Sequence, residues 1–341
     1  MNLSRSLLSL SLAGLTLLGA QQLAHAESLK VGYLPITGHG KFFVAKDRGF
    51  FDQEGLEVEL VEFQNSADGL NAIIAGKLDT GSFGTTAPVA HAAKGTRIKI
   101  IGGIMGEDAS IIARPEQAAG LSELKNLRGK KIATVRMASG DAVLRGALKD
   151  AGLNWKTDVQ IFELKNPPAV LESVKSGQVD AGVVWGPFDL RAEEQGLKVV
   201  ARSKTLQPGH PCCRLVVTEA RIKDTVTWQK FLRAILKAEK YAAENRKETI
   251  DSIAKYVKLD RKLLWDGYYT PYLDQSTDPN KNGVNHFADV MLNSEFINNK
   301  PDISTLVEPR LYEQALNQLA QEHPRDPYWK KLQQEFKRKN S

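Results

Sequence analysis

Residues 76–88 read GKLDTGSFGTTAP, and the reading of this stretch decides the fold. It follows a helical run, Ala67 to Ala75, whose apolar Leu70, Ile73 and Ile74 fall on one face. Gly76 stands where a helix needs a left-handed residue to stop. Leu78 then opens a short strand, and GSFGTTAP turns its end into a new helix. Thr85 and Thr86 are natural N-cap residues there, and Pro88 suits a first turn. Such a turn leaves backbone N–H groups and a positive helix end facing outward, ready for a small polar or anionic ligand.

A weaker echo lies at residues 177–187, GQVDAGVVWGP, again after a helical run from Ala169 to Ser176. Both copies follow G-x-[LV]-D-x-G and reach a proline seven to nine residues after the aspartate. One copy is a common helix-to-strand turn. Two in corresponding places predict two similar α/β lobes offering strand-end turns to a shared cleft, the default ligand site in open α/β sheets.

Residues 1–26 read as a cleaved export signal. Arg5 supplies the positive start, Leu7 to Leu18 the apolar run, and Ala24-His25-Ala26 the processing site. No cysteine follows the apolar run, so lipidation is not expected, and no later segment is long enough to span a bilayer. The remaining residues suffice for two lobes of ordinary domain size. The net charge of +6 is mild. Part of it lies in the tail residues Lys330, Lys331, Lys337, Arg338 and Lys339, which read as a solvated helix face and not as a nucleic-acid surface.

The chain in order predicts strands at Ser28–Leu34, Leu56–Phe63, Ile98–Met105, Lys131–Val135, Asp158–Leu164, Leu197–Ala201 and Arg214–Thr218, with helices between them. From Asp224 onward it is helical, with Trp228, Phe231, Leu232, Ile235 and Leu236 a packing stripe. The last element, Tyr328 to Lys339, is expected to dock loosely. No G-x-S-x-G, H-E-x-x-H, phosphate-loop or paired-carboxylate arrangement appears, so an enzyme is not expected.

The order of FFVAKDRGFFDQEGLEVEL (residues 42–60), GKLDTGSFGTTAP, LRGKKIATVRMASGD (residues 127–141) and GQVDAGVVWGPF (residues 177–188) resembles the periplasmic binding proteins of the nitrate, taurine and aliphatic-sulfonate transporter family. Relatives of that family bind thiamine-pyrimidine precursors, and some are synthases of such precursors. The likeness covers about residues 28 to 300. It implies a two-lobed type II fold with two crossings, closing on a small polar ligand by hinge motion. It also implies delivery to the membrane permease of an ABC importer, which would touch the lobe surfaces. A monomer without nucleic acid, cofactor or resident metal is expected. With crossings placed near Arg114-Pro115 and Pro208–Pro211, residues 27–117 form the first part of lobe 1 and 118–207 lobe 2. Residues 208–300 return to lobe 1, and 301–341 form a helical extension.

The resemblance carries the ligand site onto Thr37, Gly38 and His39, then Thr85 and Thr86, then Ser139, Gly140 and Asp141, and Trp185 as a wall. Asp141 could cap its helix or face the cleft. In the cleft it would argue, with Glu107 and Asp108, for a ligand with a donor or positive group. Arg214 could fork onto a carboxylate or sulfonate, or form a hinge salt bridge. His210-Pro211-Cys212-Cys213-Arg214 marks the return crossing. Cys212 and Cys213 could be free thiols, a strained vicinal disulfide, or, with His210, a soft-metal or redox site. In each case they are expected to border the ligand.

Overall fold

The computed structural model of the protein describes residues 26–341; the export signal, but for its last residue, lies outside the described residues. Eleven strands form two sheets. In chain order they are β1 (Glu27–Tyr33), β2 (Leu56–Glu62), β3 (Thr80–Gly84), β4 (Ile98–Glu107), β5 (Ala109–Ala113), β6 (Lys131–Val135), β7 (Gln160–Leu164), β8 (Ala181–Trp185), β9 (Lys198–Arg202), β10 (Cys213–Thr218) and β11 (Leu273–Asp274). The first sheet runs β11-β4-β10-β3-β1-β2 and the second β7-β6-β8-β5-β9. In each, a central strand pairs in parallel with two neighbours: β1 with β2 and β3, β6 with β7 and β8. In each, an antiparallel strand, β10 or β5, then adds beside β3 or β8. The lobes therefore share one topology, as the repeated motif requires.

That motif has a common physical role. The Asp79 carboxylate accepts a hydrogen bond from Lys30 N at 2.8 Å, and Asp180 accepts one from Lys131 N at 2.8 Å. Their own N–H groups donate to the carbonyls of the same two residues. Each aspartate thus ties the turn before a strand to the central strand, setting register in both lobes. In the first lobe Phe83 fills a slot left by missing side chains. A Cβ at Gly32, Gly69 or Gly81 would meet its ring at 2.8, 2.0 and 2.7 Å respectively. The glycines of TGSFG and of helix Ser66–Ile74 are there for close approach.

The chain leaves the first sheet at Glu107 and enters the second at Ala109, so the crossing is Glu107-Asp108. Both residues have left-handed backbone, φ 61° and 75°. This corrects the expectation of a crossing at Arg114-Pro115: β5 already belongs to the second sheet, and lobe 2 begins near residue 109. Pro115 instead occupies the first turn of helix Pro115–Leu121. Arg114 Nη1 donates to the carbonyls of Val174 and Val179. The return runs between Leu206 and Cys213.

Helix Thr225–Glu244 buries Trp228, Phe231, Leu232, Ile235 and Leu236 against the first lobe. The terminal helix Pro327–Asn340 is not loosely docked. Trp329, Leu332 and Phe336 are buried, Phe336 stacks on Tyr312, and Asn340 Nδ2 donates to Asp278 at 2.8 Å. No helix of the described residues is long and apolar enough to cross a membrane.

Candidate functional site

A small cavity of about 20 Å³ lies between the two sheets in this closed form. The first lobe contributes Leu34, Ile36, Ser66, Gly84 and Cys213 to its wall; the second contributes Ala109, Ala138, Ser139, Gly140 and Trp185; the crossings contribute Asp108 and Cys212. Most are at or beside strand ends and helix starts, as an α/β cleft demands.

The lobes meet beside this cavity through one hydroxyl. Ser139 Oγ accepts from Thr85 N at 2.9 Å and donates to Cys212 O at 2.6 Å. Thr85 N and Thr85 Oγ1 also donate to Cys212 O, at 2.7 and 3.1 Å. Neither hydroxyl caps a helix, although the sequence predicts a cap at Thr85. Ala138 is the N-cap of helix Ser139–Asp150, and Thr85, the N-cap of helix Thr86–Ala93, makes no side-chain cap. These groups clasp lobe to lobe and crossing. Replacing Ser139 by alanine is expected to lower closure by about 1–2 kcal/mol, the scale of a buried hydrogen bond. Small-angle scattering should then report a larger radius for S139A than for the native chain; equal radii would rule out the clasp.

Asp108 is 4% exposed and Trp185 8%. Asp108 Oδ2 has no hydrogen-bond partner, nor does Trp185 Nε1. Burial, then Asp189 and Cys212, push the Asp108 carboxyl well above the usual range, against the Gly186 N–H and Arg202. Cys212 and Cys213 are buried free thiols with sulfurs 3.6 Å apart. His210 Nδ1 stands 3.3 Å from Glu107 Oε2, an ion-pair distance without hydrogen-bond alignment. Burial would lower the His210 imidazole, but Cys212 and Glu107 outweigh it and push it up to about 9. Among the described residues no cluster of three or more His, Cys, Asp or Glu is placed to hold a metal ion.

Of the residues the sequence nominates, Ser139, Gly140, Trp185, Cys212 and Cys213 line the cavity, as does Asp108, named beside them; Thr37, Gly38, His39, Thr85, Thr86, Glu107, Asp141 and Arg214 do not. Asp141 turns away into an ion pair, with Arg145 Nε 2.9 Å from its Oδ1. Burial raises its carboxyl to about 6 against the pull of Arg145. Arg214 forks onto backbone, donating to Met105 O at 2.6 Å and to Asp278 O. It is neither a hinge salt bridge nor a ligand fork. His39 Nδ1 accepts from Leu34 N at 3.0 Å, and burial lowers its imidazole to about 3. Thr37, Gly38 and His39 thus build the turn that presents Leu34 and Ile36, without reaching the cavity themselves. Thr86 Oγ1 is buried without a partner. Sequence reasoning missed Ser66, whose hydroxyl accepts from Gly84 N at 3.0 Å; its place at the first turn after a strand was the available signal.

A family model described as the NMT1-like family matches residues 22–258. A candidate aliphatic sulfonates-binding protein of Bacillus subtilis is 27% identical over 289 residues, covering 81% of this chain and 84% of its own. Among solved structures, the ligand binding component of an ABC-type import system from Staphylococcus aureus, with zinc bound, aligns at TM-score 0.74 and 20% identity. It covers 85% of this chain and 99% of its own. The periplasmic nitrate-binding protein from Synechocystis aligns at TM-score 0.74 and 14% identity, over 86% and 89% of the two chains. The two solved structures establish the fold as that of the periplasmic binding proteins.

Proposed function

The chain belongs to the NMT1-like family, and on that premise we propose that it is a periplasmic receptor that traps a small polar molecule between its lobes and delivers it to an ABC-type importer. The observation that carries this reading is the clasp: Ser139 of one lobe, Thr85 of the other and Cys212 of the return crossing meet at the cavity edge. A closed form that encloses its guest is what a hinge-closing receptor needs. Binding without a chemical step is the reading in keeping with the binding proteins the chain resembles. Ser66, Asp108, Ser139, Gly140, Trp185, Cys212 and Cys213 are the contacts we assign to the guest. Thr37, Gly38, His39, Thr86, Asp141 and Arg214 support the frame. Leu34 and Ile36 give the cavity an apolar floor, so its guest is small and not wholly polar.

The reading predicts that the exported chain, purified without denaturation, carries a stoichiometric small molecule in native mass spectrometry. Restoring that molecule to stripped protein at a hundred times its Kd should stabilise the fold by about 2.7 kcal/mol, seen as a higher melting temperature. A chain that neither retains nor gains any guest would overturn the receptor reading.

A further inference from the structure

The cavity's ionisable groups are one-sided. Among its lining residues Asp108 is the one carboxyl, and no lysine, arginine or histidine lines it among the described residues. The cations nearby are all engaged. Arg202 Nη1 donates to Asp189 at 2.6 Å and to Ser110 at 3.1 Å. Arg214 holds two backbone carbonyls, Lys41 Nζ donates to Ile104 O at 2.9 Å, and His210 faces Glu107. A small oxyanion entering here would meet a carboxyl and find no cation to oppose its own desolvation. Two polar atoms of its wall are left over: the carboxyl oxygen Asp108 Oδ2 and the indole donor Trp185 Nε1, both buried without a partner. Buried acceptors left in this state mark a missing partner.

From this geometry we infer that the guest presents a nitrogen donor, cationic or N–H, to Asp108 Oδ2, with a flat face or edge against the Trp185 indole. The inference rests on the receptor reading and specifies what that receptor selects. Simple oxyanions offer no donor to an ionised Asp108. A cationic guest supplies the counter-charge that favours an ionised Asp108, and the Trp185 indole can add cation–π attraction. The charged and titratable groups facing Asp108 are Asp189 on helix Phe188–Glu194, Arg202 on β9 and Cys212 on the return crossing. Arg202 is spent on Asp189, so the guest is the partner still missing.

The test uses two planar pairs of opposite charge, guanidinium against nitrate and acetamidinium against acetate, titrated by calorimetry into stripped native protein and into Asp108→Asn. Asparagine tolerates left-handed backbone well, so D108N should fold with an unchanged circular dichroism spectrum. The nitrogen member of each pair is expected to bind at least tenfold tighter than its oxyanion, and to lose at least tenfold in D108N. Its affinity should also rise with pH, because binding favours the ionised carboxyl. Oxyanions that bind as well as the nitrogen cations, or that gain affinity as pH falls, would make Asp108 a neutral donor and overturn the inference. So would D108N affinities equal to the native ones, or no binding by any of the four probes. The receptor reading survives each of those results if native mass spectrometry still finds a guest, and falls with the inference only if none is found.

Discussion

Replacing Arg145 by methionine is expected to destabilise the protein by about 3–5 kcal/mol at pH 7.5, the cost of leaving one member of a buried ion pair uncompensated. Arg145 is 4% exposed. Its Nε stands 2.9 Å from Asp141 Oδ1, its Nη2 2.8 Å from Glu163 Oε1, and its guanidinium lies 4.0 Å from the centroid of the Trp155 ring. Methionine keeps the packing against Trp155 and removes the charge. The penalty depends on pH in a stated direction. Burial already holds the Asp141 carboxyl up at about 6, with Arg145 opposing the rise. A carboxyl raised on folding favours the folded state below its unfolded value and loses that contribution as pH climbs through its folded value. Without Arg145 the folded value moves higher still, so the loss grows. Urea unfolding should therefore show a large R145M deficit at pH 7.5 and a smaller one at pH 5, where Asp141 is mostly protonated with or without its partner. Equal deficits at the two pH values would show that Arg145 acts by packing and not by charge.

Gly69→Ala should lower stability by about 2 kcal/mol although it improves the helix. Alanine is the better helix former by about 1 kcal/mol. A Cβ at this position would lie 2.0 Å from two ring carbons of Phe83, and overpacking of a tight core costs about 1–3 kcal/mol or more. The ring has nowhere to retreat: it is fully buried, edged by Gly32 and Gly81, and meets Phe63 edge to face at 5.8 Å. The second effect wins. Because the conflict is with one ring, G69A combined with Phe83→Leu should be more stable than the sum of the single changes by at least about 1 kcal/mol. Additive losses, or a stabilised G69A, would contradict the slot.

Two matched lobes were legible in the sequence because the feature that repeats, G-x-[LV]-D-x-G, performs one local task twice. Asp79 and Asp180 each bind an N–H of their central strand, and a local task leaves a local trace. The first crossing left none. From Ile98 to Ala113 the residues are largely buried and extended, and the only interruption is Glu107-Asp108. Those two adopt left-handed backbone without the glycine that usually announces it. Arg114-Pro115 drew the eye instead because proline breaks strands, but here it begins a helix. The site was legible where strand ends and helix starts carried small residues, as at Ser139 and Gly140, and where the cysteine pair marked the return crossing. Arg214 misled for a different reason. Its residue type suits an anion fork, but β10 is paired on both sides, and its guanidinium meets the backbone of two neighbouring segments. Residue type proposes a partner; only the sheet decides which partner is within reach.

Asp108 and Cys212 ride on the two connecting segments, and Cys213 opens β10 beside them. Segments that act as an axle travel least when the halves swing. On the receptor reading proposed above, opening carries Ser139, Gly140 and Trp185 away with their lobe while the axle groups stay near the guest. Unloading then has two stages, first the loss of the moving jaw, then escape from the axle groups and from the wall that Leu34, Ile36, Ser66 and Gly84 leave standing.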